Sequence, residues 1–170
     1  MGKCGWSVGA CGLRGRVRGL IAAALMLSAG AAVAGPCADD QVTLRGDWGQ
    51  ARFTIELADE PDERAQGLMN RESMAQSAGM LFVYPEPKHV GFWMKNTLIP
   101  LDMIFIDPTG TVLKVHANAI PHDETPIFGD SPNIKAVLEI NGGLSERLGI
   151  VPGSELRHPA FENGAPAWPC

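Results

Sequence analysis

In the stretch FWMKNTLIPLDMIFID, residues 92–107, Lys95, Asn96, Thr97 and Asp102 stand between two apolar runs. Three chemistries fit a cation, an amide, a hydroxyl and a carboxylate so placed. In the first they face a cleft. Trp93 then offers an apolar face with a donor edge, Lys95 a charge, and Asn96 and Thr97 neutral hydrogen bonds. Arg71 and Glu139 could complete the set. Arg71, Trp93, Lys95, Asn96, Thr97, Asp102 and Glu139 are therefore the candidate residues for a small polar ligand such as a carboxylate or a sugar. In the second, Asp102 and Glu139 form a general acid–base pair of a hydrolase, which needs the two carboxyls about 5–9 Å apart across a cleft. In the third, the cluster is structural and the function lies elsewhere. A carboxylate at the mouth of a buried strand must be paired or hydrogen-bonded, and Lys95, Asn96, Thr97 and the turn's own N–H groups are expected to neutralise Asp102. The residues alone leave all three open, and no catalytic residue is assigned.

Other chemistries find less support. His89, His116, His122 and His158 are scattered, with no H-x-H, H-x-x-x-H or C-x-x-C pair, so no metal site and no cofactor is expected. Met69, Met74, Met80, Met94 and Met103 would suit copper(I), but four of the five sit in or beside apolar elements, where core filling is their expected use. The serines lack a G-x-S-x-G setting, and GLSERLG is too short to cradle a phosphate.

The chain has 170 residues, enough for one domain and a targeting segment. Lys3, Arg14, Arg16 and Arg18 precede the apolar run GLIAAALMLSAGAAVA, which ends in an A-x-A pattern at Ala32 and Ala34. Residues 1–34 are read as a signal peptide and Gly35 as the first mature residue. Its removal leaves 10 basic against 19 acidic residues, a net charge of −9. Such a chain has no general attraction to phosphate backbones or anionic lipid, so nucleic acid and stable membrane insertion are not expected. Cys37 and Cys170 remain near the two mature ends. In a periplasmic or secreted protein they are expected to bridge, with free or intermolecular thiols as the alternative.

Stepping along the chain, RFTIELA (52–58) alternates as a half-buried strand, and DEPDERAQGLM reads as a helix of two or three turns with Ala65, Leu68 and Met69 on one face. MLFVYP and HVGFWM are short strands. LDMIFID and TVLKVHA flank the turn DPTG and form a hairpin whose first arm, without alternation, is covered on both faces. Residues 121–133 read as a long loop, KAVLEIN as a strand, GGLSERLGI as a short helix and GSELR as a last strand. The expected fold is mainly β, a single-domain sandwich or barrel-like (jelly-roll-like) structure with two short helices. The expected divisions are an N-terminal extension (35–51), the β domain (52–158) and a C-terminal tail (159–170).

Taken in order, RAQGLMNRESM, GMLFVY, FWMKNTLIPLDMIFID, AVLEINGG and LGIVPGSEL resemble the DUF192 family, also called UPF0127, from about Phe53 to Arg157. The resemblance implies a compact β-rich, sandwich-like or jelly-roll-like fold, often behind an export signal. It implies no activity.

Overall fold

A computed structural model describes residues 37–170; the expected signal peptide, residues 1–34 with Cys4 and Cys11, lies outside the described residues. A seven-stranded sheet carries the structure. Its strands are β1 (Gln41–Gly46), β2 (Gly49–Ala58), β3 (Ala78–Lys88), β5 (Leu101–Ile106), β6 (Val112–Ala119), β8 (Ile134–Asn141) and β9 (Glu155–Arg157), in the order β6-β5-β8-β3-β2-β1-β9. All neighbours run antiparallel except β2 and β3, which are joined by the crossover helix α1 (Pro61–Gln66). The sheet curls until its two outer strands meet. Thr111, just before β6, bridges Glu155, and Val112 N donates to Ser154 O at 2.8 Å. The mainly β, barrel-like expectation holds.

The curl makes two apolar layers. Val42, Leu44, Phe53, Ile55, Leu81, Ile104, Ile106, Leu138 and Ile140 belong to one. Leu68, Met80, Phe82, Tyr84, Met94, Met103, Phe105 and Val137 belong to the other. Strand β5 contributes to both, and all six of its residues are buried, as its lack of alternation required. The second layer is covered by α1, by the segment around Trp93, and by a small ladder between β4 (Gly91–Phe92) and β7 (Ile127–Phe128).

Four local expectations are corrected. The sheet begins before Arg52: β1, in the supposed extension, pairs with both β2 and β9. The first helix spans only Pro61–Gln66, with Glu60 as its N-cap. It stops at Gly67, whose φ of +49° favours glycine and where an added Cβ would lie 3.2 Å from the Phe82 ring. The run HVGFWM yields a two-residue strand, because Met94 N turns instead to Asp123 O at 2.8 Å. The loop 121–133 accordingly lies against it and includes β7. The DPTG turn forms as expected: Asp107 Oδ1 accepts from Thr109 N and Thr111 N, and Gly110 has φ +82°.

Cys37 and Cys170 are bridged across 133 positions, with Cα atoms 5.5 Å apart. The tail packs back on the domain. Arg45 and Arg157 lie over the Trp168 ring at 4.4 and 5.1 Å, and Ala167 N donates to Thr109 O at 2.8 Å.

Candidate functional site

Helix α2 (Leu144–Leu148) explains Asp102. The carboxylate is fully buried and accepts four hydrogen bonds: Asn118 N and Gly143 N at 2.7 Å on Oδ1, and Ser145 N at 2.7 Å and Ser145 Oγ at 2.6 Å on Oδ2. Gly143 and Ser145 begin α2, so the acid meets donors that a helix start leaves without intrahelical partners. The expected neutralisation by Lys95, Asn96 and Thr97 is therefore corrected. Backbone N–H groups far along the chain satisfy the charge, and sequence proximity was misleading because the strand end points toward α2.

The other polar candidates separate. Lys95 lies outside, its ammonium 5.7 Å from the Trp93 ring centre. Arg71 makes a two-pronged pair with Glu56 at 2.6 and 2.5 Å on the exposed surface. Asn96 serves the backbone. It adopts φ +54°, its carbonyl accepts from Asn70 N at 2.8 Å, and Asn70 is itself at φ +61°. Two asparagines, the residues that best tolerate this conformation after glycine, thus join the loop after α1 to the loop after β4.

Trp93, Thr97 and Glu139 do come together. They line one cavity of about 100 Å³, with Arg64, Gly67, Leu68 and Met69 from the α1 region and Phe82, Tyr84 and Phe92 as further walls. Glu139 reaches it through register. Met80 on β3 and Met103 on β5 stand opposite it, both in the second layer, whereas its neighbours Leu138 and Ile140 belong to the first. A carboxyl thus stands on a face otherwise built of Met, Phe and Val.

Electrostatically this is an unusual place. Glu139 is 4% exposed, and no hydrogen bond from the described residues reaches its carboxyl. Burial pushes its pKa up to about 8, so near neutral pH the group is mostly protonated. Tyr84 is pushed up to about 12, mainly by burial; the nearby Arg64 charge pulls it down and the Glu139 charge raises it. The Tyr84 hydroxyl likewise makes no hydrogen bond to a described residue. Neither group is sealed in: among the described residues, no fully buried side-chain oxygen or nitrogen lacks a partner. Both residues line the cavity, and Tyr84 also lines a neighbouring concavity of about 450 Å³. Arg64 sits at its edge, donating through Nη1 to Val83 O at 2.9 Å and to Asp59 O, with its guanidinium 5.3 Å from the Tyr84 ring centre.

Larger concavities lie elsewhere, and several of their polar groups are paired. Beside the one of about 620 Å³, Arg45 pairs with Glu155 at 2.6 Å and Trp48 Nε1 donates to Ser154 Oγ at 3.0 Å. Unmet hydrogen-bonding capacity, more than size, singles out the Glu139 cavity.

Asp102 and Glu139 do not form the acid–base pair considered from the sequence. Asp102 stands opposite Ile140, the next residue along β8, so the two carboxyls leave the sheet on opposite faces. Asp102 does not line the cavity. Arg64, Tyr84, Phe82 and Phe92 were not anticipated there. Tyr84, the sole tyrosine of the chain, was the available signal, since a buried phenol usually finds a partner.

The family model for DUF192, described as uncharacterized ACR, matches residues 42–158. The chain belongs to the DUF192 family. It is similar to a protein of unknown function from Novosphingobium aromaticivorans DSM 12444, with 46% identity over 68% of this chain and 82% of that one, at a TM-score of 0.66. It is also similar to a Sinorhizobium meliloti 1021 protein whose description reads "putative transcription regulator", with 44% identity over 72% of this chain and 95% of that one, at a TM-score of 0.67. No curated protein matches the chain. Family membership carries the fold and leaves the chemistry to the residues above.

Proposed function

We propose that this DUF192 protein is a binding or accessory module of the cell envelope whose cavity beneath α1 receives a small polar ligand. One observation carries the reading. Glu139 is a buried carboxyl with no donor from the described residues, and it opens onto a cavity walled by Tyr84, Phe92, Trp93 and Thr97. The carboxyl is largely withdrawn from water without a protein donor, as its raised pKa reflects, and a partner supplied from outside would offset that desolvation. The walls then exclude water while a few polar groups fix orientation. The envelope location rests on the leader-like residues 1–34 and on the Cys37–Cys170 bridge, a bond that persists in oxidising compartments.

The test is nuclear magnetic resonance of the mature protein against a library of small polar fragments. Binders should shift the Trp93 indole, the Tyr84 ring and the Met69 methyl together, and Glu139→Leu should abolish those shifts while the protein stays folded. Fragments that bind only elsewhere would refute the site.

A further inference from the structure

Two polar groups of this cavity can offer a proton to a ligand. Glu139 and Tyr84 line it without a hydrogen-bond partner among the described residues, whereas the Thr97 hydroxyl already donates to Lys95 O at 3.3 Å. Arg64 commits Nη1 to two backbone carbonyls, and its guanidinium charge lies at the edge. The aromatic faces that would attract a cationic ligand are already attended by cations. Lys88 lies 4.3 Å and Arg64 5.3 Å from the Tyr84 ring centre, and Lys95 lies 5.7 Å from that of Trp93. An incoming ammonium would meet three like charges for one acid.

Building on the ligand-site reading above, we propose that the cavity takes the carboxylate of a small monocarboxylic acid, with Glu139 and Tyr84 donating hydrogen bonds to its oxygens and Arg64 supplying the opposite charge. About 100 Å³ suits such a head, since a water occupies about 30 Å³ of liquid. Any longer chain would leave past Trp93, which is 52% exposed.

Binding should then depend on the proton of Glu139. The charged or titratable groups beside it are Arg64 from α1 and Tyr84 from β3, with Lys88 and Lys95 over the aromatic rings; β5 presents the uncharged Met103. Tyr84, its pKa pushed up to about 12, keeps its proton at pH 9. Glu139, with its pKa pushed up to about 8, is the group that changes.

The experiment titrates the mature, disulfide-bonded protein with sodium acetate, methylammonium chloride and ethylene glycol at pH 7 and pH 9, reading the Trp93 and Tyr84 resonances. Acetate should saturate both, and its Kd should weaken about tenfold from pH 7 to pH 9 as Glu139 loses its proton. In Glu139→Gln, whose amide still donates, acetate should bind with little change between the two pH values. Saturation by methylammonium or glycol without acetate would overturn the ligand class and leave the site standing. Acetate binding that does not weaken at pH 9 in the unmodified protein would overturn the donor role of Glu139. No response at Trp93 and Tyr84 to any of the three would remove the class, while the site itself is judged by the fragment library.

Discussion

Asp102 and Glu139 leave neighbouring strands of one sheet on opposite faces, and their fates differ accordingly. Asp102 meets four donors at the start of α2, whereas Glu139 meets none from the described residues and looks into a cavity. One acid is satisfied by the fold; the other is buried without a donor from the described residues.

Replacing Asp102 should therefore cost stability and little else. Asp102→Ala leaves the N–H groups of Asn118, Gly143 and buried Ser145 without their acceptor, and urea denaturation should show a loss of about 3–5 kcal/mol. Fragment binding at Trp93 by the folded fraction should persist. Loss of binding with unchanged stability would place Asp102 in the site after all.

Glu139 should have the opposite signature. Its ordinary pKa of 4.5 applies to the unfolded chain, and burial pushes it to about 8 in the folded one. Below pH 4.5 both states hold the proton. Between about 4.5 and 8 only the unfolded state has released it, so stability falls as pH rises, by roughly 1.4 kcal/mol per pH unit at most, and levels off above 8. Glu139→Leu should remove that slope and raise the thermal midpoint at pH 8, as replacing an unsatisfied functional group often does. Melting curves of both proteins from pH 5 to 9 provide the check; a lowered midpoint at pH 8 would show that the carboxyl is structurally satisfied.

His158 sets the acid limb. Its Nδ1 accepts from Ala160 N at 3.1 Å and its Nε2 lies 3.1 Å from Asp39 O, beside the bridged N-terminal end. Burial lowers its pKa below the ordinary 6.5, partly offset by the Asp39 carbonyl and charge. The stability this represents is full above pH 6.5 and is lost as pH falls toward the lowered value. Hydrogen exchange of Ala160 and of neighbouring tail amides should rise in that window, and in His158→Gln the pH dependence should vanish.

The Cys37–Cys170 bridge ties two ends separated by 133 positions. The mature monomer should be about two mass units lighter before reduction than after. Cys37→Ala should destabilise the protein by about 2–5 kcal/mol and release the Trp168 region first.

Much of this architecture was legible because apolar patterning reports burial directly. The unalternating LDMIFID revealed a strand covered on both sides, and DPTG announced its turn. The polar candidates were harder, since side-chain type does not reveal which face or partner it meets. Asn96 was read as a ligand amide, yet its use is a left-handed turn. Asp102 was assigned partners close in sequence, when its donors lie 16 to 43 positions away. Arg64 and Tyr84 reach the cavity only because α1 crosses over β3, which no local pattern encodes.

The most direct measurement is a carbon-13 titration of the Glu139 side-chain carboxyl in the unliganded mature protein. A midpoint near 8 is expected for an acid buried without a protein donor at a cavity wall. A midpoint in the ordinary glutamate range would mean that water or a protein group already satisfies it, and the case for a ligand there would be lost.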